Sequence, residues 1–176
     1  MNERSCLSQF CEKFNSDMAP LEFTEDEFVA VLQKAHAYYA TIVRVFCPYL
    51  RGDVQFNSQG MEHLRRKSWN RGRPRHDQFM RLKHLAIAPA ILRLSATVQG
   101  VWHGHERNRR RRHGRWEEHF KPATFYEFVA VMEDRRFKVI VKQTSDGEIV
   151  FWSLIPFWRQ KGQGSRVLHD GNLGED

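Results

Sequence analysis

The chain contains few cysteines and no long apolar segment, and both absences narrow its class. Only three cysteines (Cys6, Cys11 and Cys47) occur among 176 residues. Because three thiols cannot all pair, we expect a protein of the reducing cytosol and not one that is held together by disulfides. No apolar run reaches the roughly 18 residues that a membrane span requires, and residues 1–20 lack a basic region followed by an apolar core. We therefore expect a cytoplasmic protein with neither a membrane span nor a cleaved signal peptide.

Motifs for nucleotide and metal chemistry are also missing. The sequence has no phosphate-binding loop, no dinucleotide-binding glycine pattern and no nucleophile elbow, so neither nucleotide-driven chemistry nor a cofactor is expected. Cys6 and Cys11 are not followed by a second pair at zinc-finger spacing. Nine histidines are present, but the neighbouring pairs lack an acidic or thiolate complement: His103 with His105, and His113 with His119. No metal site is expected.

What the chain does have is enough apolar material for a core and a strongly uneven charge. Hydrophobic residues make up 41% of the chain and aromatic residues 12%, which excludes wholesale disorder. The net charge is +7, yet residues 51–115 alone carry 16 basic and 4 acidic side chains, a local net charge of +12. A solvated helix face is one interpretation of this excess. Because most of it is arginine, whose planar guanidinium suits phosphate, nucleic acid is the leading partner.

The first half of the chain has helical periodicity. Thr24 and Glu27 form a predicted capping box, and an apolar stripe then recurs every three or four residues until near Pro48. Residues 53–56 alternate as a short strand, and a helix capped by Asn57 or Ser58 is predicted to run through Lys67. A basic loop at residues 70–75 precedes a third helix, which Asp77 can cap. Pro89 should kink or break that helix.

After residue 96 the apolar period changes to two, which predicts strands at residues 97–103, 125–132, 137–143 and 149–155. Short polar turns join the last three, which is typical of antiparallel hairpins. The sequence therefore predicts an α+β fold, with N-terminal helices followed by a C-terminal antiparallel sheet of about four strands. Residues 1–49 would form a helical segment on the core, residues 50–160 the main domain and residues 161–176 a flexible tail.

Several polar residues are placed so that they could act together. His63 and Lys67 are spaced i and i+4 on the predicted second helix, with Arg66 beside them. Lys142 and Ser153 share a sheet face if Asp146 and Gly147 form a two-residue turn, whereas a three-residue turn would put them on opposite faces. The alternatives are ordinary surface roles for His63 and Lys142 and a hydroxyl bonded within the sheet for Ser153.

The same residues carry a resemblance to a known group. Residues 54–64 contain a strand followed by Asn-x-x-Gly-x-x-His (Asn57, Gly60 and His63), and this resembles phage-associated nuclease-like proteins of the barnase–EndoU–colicin–RelE (BECR) superfamily. The basic helix segment at residues 81–83 and the closing hairpin at residues 137–153 are similar to that group as well. The resemblance covers roughly residues 45–158.

The resemblance implies helices before a curved antiparallel sheet, and a metal-independent endoribonuclease activity that is often toxin-like. The catalytic set that it implies is His63, Lys67, Arg81, Lys142 and Ser153. Ser153 stands where many relatives have threonine, and residues 104–115 look like a basic insertion between the first two sheet strands. Presence of the fold does not establish turnover. An antitoxin or immunity protein would be a further partner.

Other basic residues are candidates for contact with the nucleic-acid backbone: Arg66, Arg71, Arg73, Arg75, Arg109, Arg110, Arg111 and Arg112. The arginine run at 109–112 is too dense in like charge to pack in a core, so a loop is predicted that either tracks the backbone or only maintains solubility. Three functions remain open: RNA cleavage through a 2′,3′-cyclic phosphate, non-catalytic RNA or DNA binding with the same fold, and binding of an acidic protein partner.

Overall fold

The computed structural model describes residues 23–68, 71–112, 114–132 and 135–157, and this part of the chain has an α+β fold. Its helices are α1 (Glu25–Thr41), α2 (Ser58–Arg65), α3 (Arg75–Lys83) and α4 (Ile87–Leu94). Its strands are β1 (Arg44–Cys47), β2 (Gly52–Gln55), β3 (Arg66–Ser68), β4 (Arg71–Gly72), β5 (Gly100–Arg112), β6 (Arg115–Met132), β7 (Arg135–Thr144) and β8 (Ile149–Phe157). The predicted N-terminal lead-in and C-terminal tail lie outside these residues.

The main sheet has six strands rather than about four, in the order β1-β2-β8-β7-β6-β5. The four strands expected in the second half are β5 to β8, and neighbouring members of this set pair antiparallel. The β1–β2 hairpin adds two further strands, because β2 runs parallel to β8 and pairs with it at Gln55 and Val150. β3 and β4 form a separate two-stranded hairpin.

The predicted capping box of the first helix is confirmed. The Glu27 amide donates to Thr24 Oγ1 at 3.2 Å, and the Thr24 amide donates to Glu27 Oε2 at 2.8 Å. The predicted end near Pro48 is wrong, because α1 ends at Thr41 and strand β1 follows. In β1 the buried Val45 and Cys47 alternate with exposed residues, and this period of two competes with the helical stripe at the end of α1.

The long third helix divides as Pro89 predicts. α3 ends at Lys83 and α4 begins at Ile87, which places Pro89 in the first turn of α4, where a helix needs no amide donor. Asp77 is not the cap of α3, because the helix already begins at Arg75 after Pro74. Asp77 instead lies in the first turn, where its carboxylate is available to neighbouring arginines.

The helix after Asn57 is shorter than predicted. The Asn57 side chain accepts from the amides of Gln59 (3.1 Å) and Gly60 (3.3 Å), which confirms its capping role. α2 then ends at Arg65, and the backbone is extended at Arg66. Lys67 therefore lies in β3, and the predicted helical pairing of His63 with Lys67 is wrong.

The two faces of the sheet carry different side chains. One face packs against the helices through residues that include Phe128, Phe137, Val139, Val141, Phe151 and Leu154. The other carries a small apolar cluster (Ala123, Phe125, Ile140 and Ile155) beside buried polar residues. Among the described helices, none is long and apolar enough to cross a membrane.

The arginine run lies in a strand, so the predicted loop is wrong. β5 and β6 pair continuously from Gly100 with Glu127 to Arg112 with Arg115, so the backbone of residues 104–112 extends this hairpin instead of forming an irregular insertion. β7 joins β6 at the pair of Ala123 and Thr144, and beyond that pair β5 and β6 have only each other as described partners.

Candidate functional site

The turn between β7 and β8 contains three residues, and not the two-residue turn at Asp146 and Gly147 that was one of the two predicted possibilities. The Thr144 amide donates to the Glu148 carbonyl at 3.0 Å, and the Gly147 amide donates to the Thr144 carbonyl at 2.9 Å. Gly147 has a φ of 85°, which a residue without a Cβ adopts without strain. Lys142 therefore pairs with Val150 instead of Phe151.

A β-bulge in β8 nevertheless keeps Lys142 and Ser153 on one face. Val141 pairs with Phe151 and Ile140 pairs with Ser153, so Trp152 is an extra residue without a partner on β7. Ile140 shares a face with Lys142, and Ser153 lies opposite Ile140. The bulge thus cancels the effect of the longer turn, and the predicted pairing of Ile140 with Ser153 is confirmed.

Polar side chains from two helices, two strands and the connection before α3 meet around this bulge. We call His63, Arg73, Arg81, Lys142 and Ser153 the cationic cluster. Arg81 Nη1 donates to Ser153 Oγ at 2.6 Å, and Arg81 Nε donates to Asp77 Oδ1 at 2.8 Å. Arg73 Nε donates to the His63 carbonyl at 3.0 Å, while its Nη1 lies 3.6 Å from Asp77 Oδ2. Asp77 thus holds both arginines, each at a spacing of four residues.

Trp152 lies at the centre of the cationic cluster. The His63 ring stacks on the indole with centroids 4.1 Å apart, and Lys142 Nζ lies 3.9 Å from the centroid of the same ring. Trp152 is therefore in contact with both the histidine and the lysine.

Lys142 is held by oxygen atoms from two other elements. Its Nζ lies 3.2 Å from Gln59 Oε1 on α2 and 3.0 Å from Glu106 Oε1 on β5. The lysine side chain is 1% exposed and that of Glu106 17% exposed. A buried ammonium needs such partners, because an uncompensated charge out of water is costly.

The Asn-x-x-Gly-x-x-His spacing has a physical explanation here. Asn57 caps the start of α2, and Gly60 lies one turn later against β8. A Cβ at Gly60 would be 2.4 Å from the Phe151 carbonyl oxygen. His63 lies a further turn along and stacks on Trp152 of the same strand. The three positions share one side of the helix, so the motif describes how α2 packs on the edge of β8.

The electrostatics of the cationic cluster favour a neutral His63. Burial lowers the pKa of His63 well below its usual value, and the charges of Arg73, Arg81 and Lys142 lower it further. Burial also lowers the pKa of Lys142, although the hydrogen bond and charge of Glu106 oppose that shift. A neutral imidazole beside cations can accept a proton at neutral pH.

This shift predicts acid destabilisation that depends on His63. Because the folded-state pKa is depressed, its contribution to stability is complete above the unfolded-state pKa of about 6.5 and is lost as pH falls towards the folded-state value. The free energy of unfolding should decline below pH 6.5 with a slope approaching about 1.4 kcal/mol per pH unit. Urea titrations of the protein and of His63→Gln at several pH values measure this slope. Equal slopes in the two proteins would contradict the assignment to His63.

Four of the five predicted catalytic residues come together, but not as an open hollow. His63 is 6% exposed, Arg81 4%, Lys142 1% and Ser153 0%. Lys67 lies in β3, and no described contact joins it to the cationic cluster. These four residues therefore form a closed, buried arrangement.

The predicted backbone-binding arginines are dispersed. Arg73 belongs to the cationic cluster, whereas Arg71 is exposed on β4. Arg66 pairs with Glu62 at 3.7 Å, and Arg75 pairs with Glu25 and lies 4.0 Å from the centroid of Phe28. The backbone of residues 109–112 is in β5, and their side chains lie outside the described part of the structure.

Sequence reasoning did not include Asp77, Trp152, Gln59 or Glu106 in the site. Arg73 and Arg81 each lie four residues from Asp77 in the sequence, and this spacing was the available signal for Asp77. Nothing local marks the other three: the bulge places Trp152, the β5–β6 hairpin places Glu106, and the packing of α2 on β8 places Gln59. Within the described ranges, no three His, Cys, Asp or Glu side chains are grouped to hold a metal ion.

Comparison of the chain with models of protein families, with curated proteins and with solved structures finds no match.

Proposed function

We propose that the protein is a metal-independent endoribonuclease with a BECR-like fold and that the cationic cluster is its site. The observation that carries this proposal is the convergence of His63, Arg81, Lys142 and Ser153 from α2, α3, β7 and β8, with Arg81 bonded to Ser153 at 2.6 Å. These residues are distant in sequence, and their types suit RNA phosphodiester chemistry. The resemblance in sequence supports the same function.

The chemistry would use the nucleophile that RNA carries. Neutral His63 accepts the proton of the 2′-hydroxyl, whose oxygen forms a bond to the adjacent phosphorus. The bond from phosphorus to the 5′-oxygen breaks, and that oxygen takes a proton from Lys142. The products are a 2′,3′-cyclic phosphate and a 5′-hydroxyl end. Arg73 and Arg81 stabilise the negative charge that gathers on the non-bridging oxygens, and Ser153 donates a hydrogen bond to one of them.

Burial sets a requirement on this mechanism. A phosphate group can reach both His63 and Lys142 only if the side chains that cover them, Trp152 among them, move apart. Removing water from the site strengthens the interaction of the arginines with a developing charge. The closed cluster is therefore proposed to open for RNA and to close around it.

The direct test is incubation of the purified protein with a labelled RNA oligonucleotide in EDTA. Fragments that end in a 2′,3′-cyclic phosphate are expected, and a single 2′-deoxy substitution at the cleaved nucleotide should abolish that product, because the nucleophile is then missing. Cleavage that requires added Mg²⁺, or that tolerates the 2′-deoxy substitution, would contradict the proposed chemistry.

A second candidate function is non-catalytic binding of RNA or DNA. The burial of Lys142 and Ser153 favours it, since groups this enclosed are suited to holding α2 and α3 against the sheet. The basic β5–β6 hairpin would then bind the phosphate backbone. Binding that weakens steeply with salt and gives no fragments would support this candidate over cleavage.

A further inference from the structure

The β5–β6 hairpin has a narrow connection to the sheet. Glu106 pairs with Lys121 at the point where the hairpin leaves the sheet, and beyond this pair β5 and β6 have no other described strand beside them. A two-stranded ribbon is marginally stable without further support, so it can bend at this root. Two ion pairs hold the root: Glu106 with Lys142 at 3.0 Å, and Lys121 with Asp146 at 2.7 Å.

The partners of Lys142 differ in how firmly they are held. Gln59 belongs to α2, which packs tightly on β8 through Gly60, and Trp152 belongs to β8 itself. Glu106 is partly exposed and sits at the hairpin root, so it is the partner that can leave without disturbing the core.

Carboxylate and phosphate oxygens are recognised by a lysine ammonium in the same way, as charged hydrogen-bond acceptors. From this geometry we propose that Lys142 and Gln59 form a phosphate site that the carboxylate of Glu106 occupies in the free protein. The hairpin then acts as a gate: an RNA phosphate replaces Glu106, and the hairpin swings outwards. This inference rests on the proposed function, because it assigns the group that controls entry to the same site.

The sequence of the hairpin fits such a gate. The arginine run at residues 109–112 lies on the outer part of β5, beyond Glu106. A polyanion bound to those arginines would pull on the hairpin while its phosphates compete for Lys142. The attraction of the polyanion to the outer arginines and the release of Glu106 from Lys142 would thus both favour the open hairpin.

The test uses Glu106→Gln, which keeps the size of the side chain but removes the charge. Asp53→Asn is the matched control, since Asp53 is exposed, has the same charge and pairs with Arg44 instead of Lys142. Thermal unfolding first verifies that both variants are folded. Glu106→Ala serves as a second opening variant if the glutamine restores a hydrogen bond to Lys142.

Two measurements follow, and neither needs catalysis. Labelling of Lys142 by an amine-reactive reagent, read by mass spectrometry, should be at least about tenfold faster in Glu106→Gln than in the control, a change of about 1.4 kcal/mol in opening. Affinity for a 2′-O-methyl RNA oligonucleotide, which cannot be cleaved at its blocked 2′ positions, should also rise more than in the control.

The outcomes separate the gate from the nuclease. Unchanged Lys142 labelling in both Glu106 variants would overturn the gate, and so would faster labelling without tighter oligonucleotide binding. Because the oligonucleotide is not cleaved, either result is independent of whether the wild-type protein cleaves RNA. Faster labelling together with tighter binding would support the gate even if the cleavage test failed.

Discussion

Replacing His63 with glutamine is expected to reduce the rate of RNA cleavage by about 10²- to 10⁴-fold, the usual contribution of a general base. Glutamine is similar in size and can still pack against Trp152, so the fold should persist, but it cannot accept the 2′-hydroxyl proton. The measurement is the single-turnover cleavage rate in EDTA, with RNA bound to an excess of protein.

The same experiment includes two internal checks. His36→Gln is the control, because His36 lies on the exposed surface of α1, away from the cationic cluster, and its rate should be unchanged. The wild-type rate should also hold as pH falls below 6.5, because the depressed pKa keeps His63 neutral there. A His63→Gln rate within twofold of wild type would remove His63 from the mechanism.

Replacing Gly60 with alanine is expected to lower the free energy of unfolding by about 2 kcal/mol. The added Cβ would lie 2.4 Å from the Phe151 carbonyl oxygen and 2.5 Å from Tyr39 Oη. The first of these is backbone in a central strand of the sheet and cannot move aside, so the overpacking cost should reach about 3 kcal/mol, the upper end of the typical range. The better helix propensity of alanine recovers about 1 kcal/mol of that cost. The melting temperature should fall by roughly 4–8 °C in a chain of this length.

Gly72→Ala is the matched control for this variant, because a Cβ added at Gly72 would have no atom within 4 Å and the change should stay within about 0.5 kcal/mol. Equal melting temperatures of the two variants would show that α2 does not depend on close contact with β8. Since His63 is positioned by the same contact, Gly60→Ala should also weaken its stacking on Trp152, visible as a change in the near-ultraviolet signal of the indole.

The two proposed roles of the cationic cluster make different demands on its residues. A purely structural cluster would lose stability when Arg81 or Lys142 is replaced, and RNA would be irrelevant to it. A nuclease site must also admit RNA, and that is why Trp152 and Glu106 are central. In the closed state Trp152 contacts both the proposed base and the proposed acid, and Glu106 satisfies Lys142 until phosphate arrives. The labelling of Lys142 therefore reports on the step that decides between these roles.

Features that depend on near neighbours in the chain were predictable. The capping box of Thr24, the cap at Asn57 and the break before Pro89 each involve a few adjacent residues and their backbone hydrogen bonds. The change of period after residue 96 likewise located the strands of the second half, because alternation directly reflects which side of a strand is buried. These signals sufficed for an α+β fold.

Features that depend on residues distant in the chain could not be predicted from the sequence. β1 continued the apolar stripe of α1 and became a strand only because β2 pairs with it, and the arginine run became extended only because β6 lies alongside. The site shows the same division. Residue types and spacing marked His63, Lys142 and Ser153, and the resemblance added Arg81, but the bulge at Trp152 set the common face of Lys142 and Ser153, and the returning hairpin supplied Glu106. Local hydrogen bonds and the spacing of apolar residues depend on residues that are adjacent in the chain. Strand partners, burial and charge compensation are decided only when remote segments of the chain compete for the same space.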